Sequence, residues 1–186
     1  MKAKEILIPT ITLLIIALVT SVLLVATNGL TKDKIAELQE QANREARQAV
    51  LPEADDFIER GIVTNDAEIT FFEATNGAGY VFSTQAKGYG GAVVVMTGVT
   101  ADGQVAGVKI TEQNETPGLG QKALDTAFTD QYKFAVPEGG FVVTKSGKTA
   151  DAEINALAGA TITTNAVTNS VNEALEIYKL VTGGAN

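Results

Sequence analysis

Ala158-Gly-Ala-Thr-Ile-Thr-Thr-Asn-Ala-Val-Thr-Asn169 is the stretch on which the reading of this chain turns. Small residues run up to Thr161, Thr163 and Thr164 follow, and an amphipathic pattern then begins. Val167, Val171, Ala174, Leu175, Tyr178 and Val181 share one helical face, opposite Asn169, Asn172, Glu173, Glu176 and Lys179. Such a face packs on a sheet. The hydroxyls at the helix start admit two explanations. One is an ordinary cap, since Ser and Thr are favoured there whatever the function. The other is a phosphate site, because the first N–H groups have no intrahelical partners and the dipole favours negative charge. Taken alone, the stretch reads as a cap; the rest of the chain decides.

Upstream, the pattern is that of short strands. Ile69–Phe72 and Gly79–Thr84 are strand-like, and Ala92–Val99 is nearly all apolar, as a buried strand would be. Ala101-Asp-Gly-Gln104 signals a turn into a further strand, Val105–Ile110, which makes a hairpin. Ala123–Asp130 suits a short helix, and Phe141–Thr144 another strand. Ser146-Gly-Lys148 lacks the spacing of a phosphate loop and is a turn. Two glycine-rich stretches interrupt this series. Gly88-Tyr-Gly-Gly91 is either a plain loop or a backbone platform under a flat ligand, with Tyr89 as a stacking group. Glu115-Thr-Pro-Gly-Leu-Gly120 holds a leucine between two glycines, with Lys122 just beyond; it is either a structural turn or a close backbone approach to a ligand.

The N-terminus is of another kind. Ile6–Ala26 is an apolar run of 21 residues with no charge. As a helix it is about 30 Å long, the thickness of a bilayer core. Lys2 and Lys4 precede it, which places the N-terminus in the cytoplasm and the remainder outside. The run is longer than a signal-peptide core, so it is read as an uncleaved anchor. Thr31–Leu51 follows as a polar helix with a weak, alanine-rich stripe, stopped by Pro52. The expected organisation is a transmembrane anchor over 1–30, a linker helix over 31–52 and a domain over 53–186. The fold class is α+β: an N-terminal transmembrane helix, then an extracytoplasmic domain of mainly antiparallel strands with flanking helices.

Composition narrows the chemistry. The 186 residues carry a formal net charge of −8, the wrong sign for nucleic acid. There is no Cys and no His, which excludes thiol catalysis, zinc sites built on those ligands, His-ligated haem and a Ser-His-Asp triad. No metal site and no catalytic side chain of the chain's own is expected. Redox work would fall to a bound organic cofactor.

The N-terminal anchor, Lys87-Gly-Tyr-Gly-Gly91, Glu115-Thr-Pro-Gly-Leu-Gly120 and Leu157-Ala-Gly-Ala-Thr-Ile-Thr-Thr164 occur together in this order. The set resembles RnfG, the FMN-binding component of Rnf-type ion-translocating ferredoxin:NAD oxidoreductase complexes. It is also similar to NqrC, the related component of the sodium-pumping NADH:quinone reductase. The resemblance implies an electron-carrier subunit of a membrane complex. It implies FMN joined through its phosphate to Thr161 by a separate flavin transferase. It implies other membrane and soluble subunits as partners, and Glu115, Thr116, Gly118, Leu119, Gly120 and Lys122 near the ring. Gly159, Ala160, Thr163 and Thr164 would surround the phosphate, the two threonines through their N–H groups and hydroxyls. The family often carries Ser or Thr, Asp and His where this chain has Ala158, Asn155 and Asn114. The alternatives are the corresponding NqrC component of a quinone reductase, an anchored non-redox FMN-binding module, or a structural assembly subunit in which Thr161 is only a cap.

Overall fold

The structure, a computed structural model, describes residues 3–63 and 68–183. The chain divides into two compact units, residues 1–43 and 44–186.

The first unit is helical. It belongs to α1 (Ala3–Val50), which continues through Gly29 without a break. Pro9 sits near its start, where few backbone hydrogen bonds are lost. The helix is long and apolar enough to cross a membrane, and its apolar window is not buried against protein. Its threonines suit that environment. Thr12 and Thr20 donate to the Ile8 and Ile16 carbonyls at 2.9 Å, and Thr27 to the Leu23 carbonyl at 2.8 Å. Each hydroxyl is thus satisfied within the helix, and none needs water in a hydrocarbon layer.

In the second unit, five antiparallel strands form a meander in the order β1 (Phe57–Val63), β2 (Glu68–Ala74), β3 (Gly79–Lys87), β4 (Ala92–Thr100), β5 (Val105–Glu112). Thr100, Gly103 and Gln104 close the β4–β5 turn, with Gly103 at φ 80°. A long helix, α3 (Thr161–Val181), crosses one face. Val167, Val171, Ala174 and Leu175 meet Phe82, Val93, Val95 and Val99 there in the main core. The apolar stripe read from the sequence is therefore the buried one; Val181, at its end, is partly buried.

The other face of the sheet carries a smaller core. Ala46, Val50 and Leu51, at the end of α1, pack with Val81 and Met96. Two glycines let the backbones approach. A β-carbon at Gly98 would lie 2.2 Å from the Val50 carbonyl oxygen, and one at Gly107 would lie 2.9 Å from the same atom. The alanine-rich stripe, undecided in the sequence, has this packing as its purpose over its last turns.

Between β5 and α3 lie short pieces: 3-10 turns at Gly120–Leu124 and Asp130–Tyr132, α2 (Thr126–Thr129), and the strands β6 (Val142–Thr144) and β7 (Glu153–Asn155). The last two pair in parallel, a small departure from the otherwise antiparallel fold. Tyr132, fully buried, packs edge-on to Phe128 and Phe141 and ties these pieces to the core.

Candidate cofactor-binding site

The start of α3 is built by a turn at Gly159, whose φ of 75° is a glycine conformation. Ala160, not a threonine, occupies the cap position, and no side chain caps the helix. Thr161 is the first helical residue. The cap explanation for Thr161 is thereby overturned. Thr164 is the first residue to donate within the helix, to the Ala160 carbonyl at 3.0 Å. The N–H groups of Thr161, Ile162 and Thr163 are left as helix-start donors.

The hydroxyls of Thr163 and Thr164, expected beside a phosphate, are both hydrogen-bonded to protein groups. Thr164 Oγ1 donates to the Ala160 carbonyl and accepts from the Leu157 N–H at 3.1 Å, stapling the turn to the helix. Thr168 continues the ladder one turn on, donating to the Thr164 carbonyl and bonding Tyr132 Oη at 2.8 Å. Burial pushes the Tyr132 hydroxyl far above the ordinary tyrosine range.

Thr163 points the other way. Its Oγ1 donates to Glu115 Oε2 at 2.6 Å, while Glu115 Oε1 accepts from the Gly90 N–H at 3.0 Å. Glu115 is 4 % exposed. One carboxylate thus holds together the three stretches singled out in the sequence: the Gly88–Gly91 turn, the Glu115–Gly120 loop and the start of α3. Its own N–H is held by Gln113 Oε1 at 2.5 Å, a contact that no sequence signal marks. The glycines around it are required by space. A β-carbon at Gly90 would lie 1.8 Å from the Asn114 carbonyl oxygen. At Gly88 it would lie 2.3 Å from Glu115 Oε1, and at Gly120 2.7 Å from Oε2.

Above this clamp opens a cavity of about 560 Å³, within the range of small-molecule sites. Tyr89, Glu115, Thr116, Leu119, Gly120, Gly159, Ala160, Thr161, Ile162 and Thr163 line it. Gly118, Lys122 and Thr164 are not among the lining residues. Gly118, at φ 76°, shapes the Thr116–Leu119 turn, and the Lys122 N–H returns to the Leu119 carbonyl. Leu119 reaches the Gly159 turn: a β-carbon there would lie 3.2 Å from its Cδ2. Tyr89, Leu119 and Ile162 form an exposed apolar rim. Ile162 is the site residue that sequence reasoning misses; its one signal is an apolar residue placed off the buried stripe of α3.

These features fit a flat aromatic ligand with a phosphate tail. The rim offers apolar contact, and the helix start offers free donors beside the Thr161 hydroxyl. Among the described lining residues there is no Lys or Arg.

Comparison with known proteins now decides the family. The family model of the RnfG N-terminal region matches residues 1–50, and that of the FMN-binding domain matches residues 88–176, which include the whole cavity lining. The G component of the Na⁺-translocating ferredoxin:NAD⁺ oxidoreductase complex of Acetobacterium woodii is 36 % identical, over 90 % of this chain and 88 % of that one. The chain belongs to the RnfG family. The G component of the proton-translocating ferredoxin:NAD⁺ oxidoreductase complex of Clostridium ljungdahlii is 33 % identical, over 92 % of this chain and 91 % of that one. The crystal structure of the C component of the Na⁺-translocating NADH-quinone reductase from Parabacteroides distasonis shares the fold. Its TM-score is 0.59 at 19 % identity, over 76 % of this chain and 92 % of that one. The chain thus has the α+β fold read from the sequence and, as an RnfG protein, an FMN-binding domain.

Proposed function

We propose that this chain is a membrane-anchored electron carrier whose FMN is esterified through its phosphate to Thr161. The observation that carries the reading is Thr161 itself. Its side chain lines the cavity and caps nothing, and no partner for its hydroxyl appears among the described residues. Free donors of Thr161, Ile162 and Thr163 stand beside it. A free FMN phosphate carries about −1.5 to −2 at neutral pH, as phosphate monoesters do. The diester to threonine carries one negative charge. A cavity with N–H donors but no cation matches the diester better.

Bound FMN supplies the redox chemistry, for which a chain without Cys or His has no couple of its own. The residues do the rest. Tyr89, Leu119 and Ile162 line the cavity and would give the ring apolar contact, and Thr116 and Gly120 would bring backbone close to it. Glu115 and Thr163 hold the walls in register, while Gly118, Lys122 and Thr164 act through the turn and helix start they shape. Because an ester prevents dissociation, the site can stay open to a partner.

In this reading residues 1–30 are the anchor, 31–52 the linker helix and 53–186 the FMN-binding domain. Lys2 and Lys4 hold the N-terminus in the cytoplasm, and the acidic remainder lies outside. The partners are the other subunits of an ion-translocating ferredoxin:NAD⁺ oxidoreductase complex, and a flavin transferase for maturation. The test is co-expression of the full chain with a flavin transferase, followed by denaturing electrophoresis. In-gel flavin fluorescence is expected for the unaltered chain and its absence for Thr161→Ala. Fluorescence retained by Thr161→Ala refutes the attachment site. Flavin bound but released on denaturation favours the non-covalent binding module.

A further inference from the structure

The sheet splits on one side of β3. β2 pairs with β1 at seven positions, from Phe57↔Ala74 to Val63↔Glu68. It pairs with β3 only at Phe72↔Val81 and Glu73↔Tyr80. β3, by contrast, pairs with β4 along its whole length, from Gly79↔Thr100 to Lys87↔Ala92. From Phe82 onward, β3 therefore has a strand on one side only. Half of its backbone N–H and C=O groups there face a gap.

The gap is a groove of about 520 Å³. Ile69 and Thr70 of β2 stand on one side, Ser83 and Gln85 of β3 on another, and Glu173 and Glu176 of α3 on the third. It is firmly built: Thr84 Oγ1, fixed in the core, donates to the Ser170 carbonyl of α3 at 2.7 Å. Phe82–Lys87 is six residues, about 20 Å of strand.

Two observations indicate what covers this edge. First, natural sheets guard open edges with charge. β1 carries Glu59 and Arg60, and β5 carries Lys109 and Glu112. The open edge of β3, Phe82–Lys87, carries no charge until its last residue, Lys87. It has the composition of a strand that is paired when the protein works. Second, the exposed carboxylates of Glu173 and Glu176 border the groove, and neither forms a salt bridge among the described residues. They complement a basic partner. A second copy of this acidic chain would bring the same carboxylates against them.

We propose that the open edge of β3 receives an extended, Lys- or Arg-bearing segment of another polypeptide as an added strand. Main-chain hydrogen bonds to Phe82–Lys87 would give affinity, and Glu173 and Glu176 would select the charge. The proposal rests on the reading of the chain as one component of a larger complex.

The experiment is amide hydrogen exchange of the full chain, in detergent alone and in the purified complex, with Glu173→Lys/Glu176→Lys as the variant. On assembly, exchange over Phe82–Lys87 is expected to slow about tenfold or more. The double variant is expected to lose most of that slowing while keeping its in-gel flavin fluorescence. Equal exchange in the two states overturns the proposal but leaves the reading as a complex component intact. Slowing that grows with the concentration of the isolated chain assigns the edge to a second copy and overturns it too. Slowing that survives the charge reversal overturns the basic partner. A chain that does not co-purify with the complex removes the reading as a complex component, and this proposal with it.

Discussion

Replacing Glu115 by alanine tests the construction of the site at its centre. The substitution removes two hydrogen bonds, one from Thr163 Oγ1 and one from the Gly90 N–H. It leaves Thr163, 2 % exposed, with a hydroxyl that has lost its partner. Hydrogen bonds to a charged group contribute about 1.5–3 kcal/mol each. Against that loss stands the desolvation of a carboxylate that is 4 % exposed, which the substitution relieves. The net expectation is a destabilisation of about 2–3 kcal/mol, or a fall of about 5–10 °C in Tm for a unit of this size. Near-ultraviolet circular dichroism of the full chain in detergent reads it. All four tyrosines (Tyr80, Tyr89, Tyr132 and Tyr178) lie in the 44–186 unit, so the signal excludes the rest of α1. Glu115→Gln keeps the shape and satisfies one donor, so it is expected to lose about half as much. A Tm for Glu115→Ala within about 1 °C of the unaltered chain would refute the clamp. So would a Glu115→Gln variant as unstable as Glu115→Ala.

The remaining predictions concern neighbours of the site and the core. Gly90→Ala sets a β-carbon against the Asn114 backbone and is expected to cost about 3 kcal/mol or more in chemical denaturation, whereas Gly118→Ala meets open space and suffers only its positive φ, about 1–2 kcal/mol. Gly98→Ala, blocked by Val50 backbone, is expected to loosen the smaller core and speed amide exchange at Ala46–Leu51. Tyr132 and Tyr178 both have raised hydroxyl pKa values, chiefly from burial, so both ionise more readily in the unfolded chain. Stability is therefore complete below the ordinary tyrosine pKa of about 10 and falls as pH rises above it. Tyr132→Phe should flatten that fall in denaturant titrations without removing it.

Long, strongly patterned elements are legible in the sequence, because one local property determines each. The apolar run of α1, the buried strand β4, the Asp102-Gly103 hairpin and the stripe of α3 are of this kind. β1 is not legible. Glu59, Arg60 and Gly61 occupy its middle, as an exposed edge strand permits and an alternating pattern does not. β7 is three residues long and has no periodicity to read. At the site, the three motifs are legible one by one, but the carboxylate joining them is not. Glu115 and Thr163 are 48 residues apart, and only folding shows that the hydroxyl expected to hold a phosphate holds a glutamate. The displacement of Thr161 from cap to first helical residue has the same origin. It depends on the glycine conformation at Gly159, which the sequence permits without requiring.

The central claim is the bond at Thr161, and peptide-resolved mass spectrometry of the chain purified from its membrane tests it most directly. The account predicts that the peptide containing Thr161 is heavier by one FMN less one water, with fragmentation placing the added mass on Thr161. An unmodified peptide, or added mass on Thr163 or Thr164 instead, would contradict it.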